Sequence, residues 1–520
     1  MKSLFSSLFA ALALAVSPVW CAPKPKLVVA VVVDQFRYDY LIRFRDEYKA
    51  GFARLYKDGA VFTDAHHIHF PTVTAIGHST FLSGATPSMS GIVGNAWYDR
   101  ETHAQVTSVS DAQFRLLGGN RDAEGESPNR MLVSTIGDEL KMSGKGGKVI
   151  GISIKDRAAI LPSGHMADGA YWFDAASGNW VSSSFYFRDL PAWVQDVNKS
   201  KPADKFLGAE WKPVAPFAGA PATFGKLSAA PDAGFYGSLE ATPFGNELVE
   251  QFTERAIDAE QLGKHAGVDL LTVSYSANDY VGHAFGPDSP KVHDMCLRTD
   301  EILGRLLSYI DQRIGPGNTL FVMIADHGVS PVPEVNEQRK MPGGRIPRQL
   351  ILQTIQAALA AKYGDGQWVL SMPEILPYLN DALMEQKKLD RAEVEKTAAD
   401  AVLALPHIFR VYTGEELLTG RVQQDSISES ITNGYYQKRS GDLLIIPDAY
   451  YLFEAHGTSH GTPFNYDTHV PLIFMGAGIH AGTYSGRVAM NDIAPTLAAM
   501  LEIEEPSGSV GRALTEMFQQ

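Results

Sequence analysis

Short apolar runs without polar alternation recur along the chain, at residues 27–33, 149–154, 268–275, 319–324 and 470–475. A strand with one face in water alternates apolar and polar residues, so near-continuous runs predict strands covered on both faces, which are typically parallel. Helical patterns separate the runs. The expected fold class is therefore α/β, with a mostly parallel central sheet covered by helices on both faces. Two stretches do not read as core. Residues 165–245 are rich in aromatics (Tyr171, Trp172, Phe173, Trp180, Trp193, Trp211) and in Pro, Gly and Ala, and residues 335–455 carry a basic Pro/Gly loop, helical segments and an aromatic cluster at Tyr450, Tyr451 and Phe453. Both are expected to be insertions that cap the site.

Three of the runs are followed by a carboxylate: Asp34, Asp279 and Asp326. One strand-end Asp is ordinarily a cap or turn residue. Three at the carboxyl ends of strands can converge, because open α/β sheets bind ligands there. Imidazoles accompany them. Asp279 and His283 in NDYVGH are four apart, on one face of a helical turn, Asp326 and His327 are adjacent in ADHG, and His460 lies in HGTP. Mixed Asp and His donors suit zinc or a similar divalent ion. The segment FPTVTAIGHSTFLSG reads as a helix start, where backbone N–H groups and the dipole favour an anion, and Thr72, Thr74 and Ser79 compete there as nucleophile. GHSTF is a near miss for a G-x-S-x-G elbow, since Phe81 stands in the last position.

Composition narrows the function classes. The chain has 520 residues, 45% hydrophobic and 20% charged, as in a packed globular protein. A net charge of −14 argues against a surface that binds nucleic-acid phosphates. The charged start and short apolar core at residues 1–22 predict a signal peptide, too short to span a membrane comfortably, and hence a periplasmic or secreted protein with no transmembrane segment in its mature chain. Cys21 raises lipid anchoring as a minor alternative. Cys296 lies in a helical pattern and is expected to be a buried small residue, leaving no disulfide.

As an ordered set, VVVD, PTVTAIGH, GIVGNAWYD, NDYVGH, ADHG, HGTPFNYDTHVPL and the closing DIAPTLAAMLEIEEPSGSVGRAL resemble the alkaline phosphatase superfamily, near its nucleotide pyrophosphatase/phosphodiesterase branch. The resemblance runs from Asp34 to Leu514, so one catalytic domain is expected over residues 23–520. It implies that Thr74 is the nucleophile. It also implies one metal on Asp34, Thr74, Asp326 and His327 and a second on Asp279, His283 and His460, with zinc expected at both. His456 and His469 are alternatives for the last ligand, and His66, His67 and His69 are read as structural residues with their polar atoms satisfied. Asn95 matches the family residue whose amide donates to a phosphoryl oxygen. GISIKDRAAILPSGH is similar to the segment that gives PafA-type monoesterases a phosphate-binding Lys and Arg, which fall on Lys155 and Arg157. An extended chain is expected to project that pair to one side. The implied activity is metal-dependent hydrolysis of small phosphate monoesters through a phosphothreonine. A phosphodiesterase or nucleotide pyrophosphatase, or a catalytically silent metal-stabilised binding protein, fits the same residues. Sulfatase chemistry is disfavoured because C-x-P-x-R is absent around Cys296.

Overall fold

Residues Leu27–Val33 form strand β1, and all seven are buried, so the sheet is covered on both faces there. This is seen in a computed structural model that describes residues 24–120, 122–217 and 219–518. The expected signal peptide and Cys21 lie outside the described residues. Chain order adds β2 (Ala60–Phe62), β3 (Ser110–Leu117), β4 (Glu124–Glu126), β5 (Gly146–Ser153), β6 (Gly169–Asp174) and β7 (Asn179–Ser183). Then follow β8 (Val268–Tyr275), β9 (Thr319–Ile324), β10 (Leu472–Gly476) and β11 (Gly482–Tyr484), and the sheet order is β11-β2-β10-β9-β1-β8-β5-β6-β7-β3-β4.

The five central strands, β9, β1, β8, β5 and β6, run parallel, in agreement with the α/β expectation. Direction reverses at β10 against β9 and at β7 against β6, so the sheet as a whole is mixed. The apolar run around residue 472 announces burial but does not encode strand direction.

Seven helices matter for the site: α1 (Gly51–Asp58), α2 (Thr74–Ser83), α3 (Asp156–Ile160), α4 (Pro243–Ala259), α5 (Ala277–Phe285), α6 (Pro290–Arg313) and α7 (Ile493–Leu501). Helices α1, α4, α5 and α6 form one packed group, and α2, α3 and α7 form another. The long helix α6 starts at Pro290, whose missing N–H is harmless in the first turn, and Ser289 caps it by accepting the Val292 N–H. Helix α2 is buried along its whole length and stops at Gly84, which takes the left-handed conformation (φ 66°) and donates its N–H to the Thr80 carbonyl.

Of the two stretches expected to be caps, the first departs from the expectation. Much of 165–245 is not a cap: β6 and β7 extend the central sheet, and Tyr171, Phe173 and Trp180 are buried in the main core with Phe252. Aromatic density reflected a thick core rather than an exposed excursion. The stretch 335–455 has an apolar core of its own, made by Ile351, Ile355, Trp368, Val394, Val402 and Ile445 among others. Its helices Arg348–Tyr363 and Arg391–Leu403 pack together beside the antiparallel pair Ile408–Thr413 and Leu443–Pro447. Cys296 is buried and free, as expected. No helix of the described residues is long and apolar enough to cross a membrane.

Candidate active site

Four neighbouring parallel strands, β9, β1, β8 and β5, each deliver a charged residue just beyond the carboxyl end. Asp34 follows β1, Asp326 and His327 follow β9, Asp279 lies in the first turn of α5 after β8, and Lys155 follows β5. The approach is close. A Cβ on Gly77 of α2 would stand 2.2 Å from the Asp326 carbonyl oxygen, so only glycine lets the helix reach that strand end.

Two acid and imidazole groups result, Asp34, Asp326 and His327 in one and Asp279, His283 and His460 in the other, each with its donor atoms within 4.8 Å. His283 Nδ1 lies 2.8 Å from the Thr458 carbonyl, His460 Nδ1 2.7 Å from that of Thr72, and His327 Nδ1 3.0 Å from that of Gly328. Each Nδ1–H therefore donates to backbone, which leaves Nε2 as the ligand atom of all three rings. The His327 and His460 rings stack at 3.5 Å. His456, one of the alternatives, is exposed. His469 stacks instead on His66 and Tyr38, in a third group with Asp64 whose bonds go to Thr63 and Thr468.

The carboxylates are crowded enough to call for cations. Asp34 Oδ1 and Asp326 Oδ2 are buried without a hydrogen-bond partner. Burial and then the Asp326 charge push the Asp34 carboxyl well above its ordinary range. Burial also opposes ionisation of Asp326 and Asp279, but His327, His78 and Lys155 together for the one, and His283, Lys155 and His460 together for the other, outweigh it and hold both low. These donors fit two divalent ions.

Of the three competing hydroxyls, Thr72 donates to the Thr462 carbonyl and Ser79 to that of Ile76, while Thr74 Oγ1 lies 3.4 Å from His327 Nε2. Asn95 Oδ1 accepts both the Ala75 N–H at 2.9 Å and the Arg157 Nε–H at 3.0 Å. Arg157 sits in the first turn of α3, not in an extended segment. Lys155 Nζ lies 2.7 Å from Asp34 Oδ2 and 2.7 Å from Asp279 Oδ2, joining one candidate metal group to the other. Burial disfavours its charge, but Asp279 and Asp34 prevail and raise its pKa. The expected extended backbone is not found, because the chain turns into a helix at Asp156, yet both cations still feel the charges of Asp34 and Asp279.

Other residues were not visible in the sequence. Gln35, in the left-handed conformation (φ 58°), donates its Nε2–H to Asp279 Oδ1 at 2.6 Å and its backbone N–H to Asp326 Oδ1 at 3.1 Å, tying the two groups together. Gly282 leaves room for it, since a Cβ there would lie 1.7 Å from Gln35 Oε1. His67 donates to the Ala325 carbonyl and braces the residue before Asp326. His69, expected to be satisfied, is buried with neither ring nitrogen partnered. A cavity of about 210 Å³ opens over the site, lined by Val73, Asn95 and His460 from the core and by Arg348, Glu374 and Phe453 from the 335–455 insertion.

Comparison with known proteins places the chain in a family. Residues 28–469 match the family model described as type I phosphodiesterase / nucleotide pyrophosphatase. The chain is 36% identical to alkaline phosphatase PhoV of Synechococcus elongatus over 95% of its length and 93% of PhoV, and 35% identical to alkaline phosphatase PafA of Elizabethkingia meningoseptica over 95% of each. The crystal structure of wild-type PafA superposes with a TM-score of 0.89 at 34% identity, over 96% of this chain and 99% of that one, and a solved PafA variant carries substitutions at a threonine, an asparagine, a lysine and an arginine. The chain thus belongs to the type I phosphodiesterase / nucleotide pyrophosphatase family, as a phosphoesterase with the alkaline phosphatase-like fold whose full-length likeness is to phosphatases of the PafA kind.

Proposed function

We propose that the chain is an exported alkaline phosphatase that hydrolyses small phosphate monoesters through a covalent intermediate on Thr74. The observation that carries the reading is the Asn95 junction. Its Oδ1 is committed to the N–H of Ala75, beside Thr74, and to Arg157 Nε, so the Asn95 amide nitrogen and Nη2 of Arg157, whose Nη1 lies 3.5 Å from Asp156 Oδ1, are left to bind phosphoryl oxygens next to the nucleophile. A monoester dianion has more unshared charge than a diester and gains more from such a cation. Thr74, Asn95, Lys155 and Arg157 are also the residue types, in the same order, substituted in the PafA variant.

The donor sets support zinc at both sites, one on Asp34, Thr74, Asp326 and His327 and the other on Asp279, His283 and His460. When bound, two such ions supply charge neutralisation and Lewis acidity at the attacking and leaving oxygens. The chain does the rest. The start of α2 presents the Thr74 hydroxyl, which loses its proton as Oγ1 bonds to phosphorus and the leaving alcohol departs. Asn95 and Arg157 hold the non-bridging oxygens throughout. Water then cleaves the Oγ1–P bond, releasing phosphate and restoring the hydroxyl. Lys155 keeps Asp34 and Asp279 at fixed separation.

The family model names diester chemistry, so phosphodiesterase activity is the second reading. Comparing kcat/KM for an aryl phosphate monoester and its methyl diester separates the two. Preference for the diester would overturn the monoesterase assignment.

A further inference from the structure

Asn95 is held by four hydrogen bonds. Two reach its side-chain oxygen, as described, and its carbonyl accepts the Ser108 N–H at 2.9 Å. The fourth ties its backbone to a distant part of the chain: the Asn95 N–H donates to Glu374 Oε1 at 3.1 Å, across 279 positions of sequence. Ala75 and Arg157 belong to the core, whereas Glu374 comes from the 335–455 insertion.

The turn that presents Glu374 is conformationally costly. Glu374 has φ 49° and ψ 31°, and Ile375 has φ 61°, two successive non-glycine residues in the left-handed region. Each such residue costs on the order of 1–3 kcal/mol and persists only where its surroundings over-determine it. Here the neighbours do so: Ile375 is buried in the core of the insertion, and Leu376 in the core beneath α2. The turn spans the seam between the two parts of the molecule. Glu374 Oε2 is shielded from water and has no hydrogen-bond partner, and a Cβ on Gly94 would lie 2.5 Å from it. Glycine at position 94 therefore makes room for the carboxyl group. Burial pushes Glu374 up to about 7, against the opposing pull of the Asn95 backbone N–H, of Arg157 and of the Asn95 side-chain amide. A plain surface latch would need neither a strained backbone nor a dehydrated acid.

We propose that Glu374 is a positioning residue for phosphoryl transfer: by holding the Asn95 backbone, it fixes the Asn95 amide group where the transferring phosphoryl oxygens must lie, and so makes seating of the insertion a condition for turnover. The inference rests on the monoesterase reading above. Glu374 acts through Asn95 and touches no reacting atom.

A double-mutant cycle on the full-length, metal-loaded protein tests it, with an aryl phosphate monoester as substrate and thermal unfolding followed in parallel. Glu374→Ala is expected to lower kcat about ten-fold with KM less affected, the mark of an interaction expressed in the transition state. Glu374→Gln, which keeps an oxygen acceptor for the Asn95 N–H, is expected to recover most of that loss. Gly94→Ala, which crowds the carboxyl without removing it, is expected to act in the same direction as Glu374→Ala. In an Asn95→Ala background, Glu374→Ala is expected to cost less than two-fold more, because the amide it positions is already gone. Losses that multiply would overturn the proposal, as would Glu374→Gln behaving like Glu374→Ala. A wild type that hydrolyses only the diester overturns the monoesterase reading instead, and the same cycle run on the diester then decides the Glu374 role separately.

Discussion

His283 Nε2 and His460 Nε2 stand 3.2 Å apart while the Nδ1 of each lies against a backbone carbonyl. Two imidazole lone pairs cannot face each other at that distance unless a proton or a cation lies between them. Chelation is accordingly expected to abolish turnover and lower the unfolding temperature, and zinc to restore both better than magnesium, which favours oxygen donors. Turnover, unfolding and metal content measured on one sample check this. Full activity of metal-stripped protein would refute the metal assignment.

Thr74 is the hydroxyl that faces His327, whereas those of Thr72 and Ser79 are engaged by backbone carbonyls. Thr74→Ala is expected to lower kcat by about 10³-fold or more, and Thr74→Ser to retain a measurable fraction. Acid-quenched phosphoprotein, mapped by mass spectrometry, should carry its label on residue 74. A label on Thr72 or Ser79 would show that the nucleophile is elsewhere.

Arg157 and Lys155 are expected to differ. Arg157→Ala removes a charge-assisted contact to the phosphoryl group worth roughly 1.5–3 kcal/mol, about ten- to a hundred-fold in kcat/KM, and more on monoester than on diester. Lys155→Ala instead strips the shared partner of Asp34 and Asp279. Unpairing buried charge costs about 3–5 kcal/mol, so this variant should lose activity on both substrates and bind metal with altered affinity. Equal losses on both esters for Arg157→Ala would make that residue a general anion site.

Gln35 touches no candidate phosphate position, yet it bonds a carboxylate in each metal group. Gln35→Ala is expected to weaken metal binding by about ten- to a hundred-fold with the fold intact, as for other residues that orient metal ligands. Competition against a calibrated chelator measures this. Unchanged affinity would mean that Asp279 and Asp326 are oriented without it.

Much of the site was legible because local rules wrote it. Strand ends exposed Asp34 and Asp326, and helical spacing put Asp279 and His283 on one face of α5. Resemblance then chose Thr74 among three hydroxyls and His460 among three histidines. What stayed hidden depends on contacts distant in sequence. Gln35 matters through partners 244 and 291 positions away, and Glu374 through one 279 positions away. The burial of the aromatics at 171–180 stayed hidden because aromatic density does not say what will cover it, and here Phe252 of α4 stacks on Trp180 at 3.9 Å. The different direct partners of Lys155 and Arg157 turned on whether a strand continued for two residues or gave way to a helix.

The self-contained core of the 335–455 insertion has an evolutionary consequence. The candidate ligands belong to the core, at the ends of its parallel strands, in helices α2 and α5 or, for His460, in the loop that follows the insertion, while Arg348, Glu374 and Phe453 at the cavity mouth belong to a stretch with an apolar core of its own. Drift within that unit can redesign which esters are admitted while leaving the reaction bed untouched. The exception is a broad seam, where Tyr378, Ile431, Leu444 and Ile446 pack with Phe70, Val73 and Trp97 and Glu374 faces Gly94, and there the two histories have to change together.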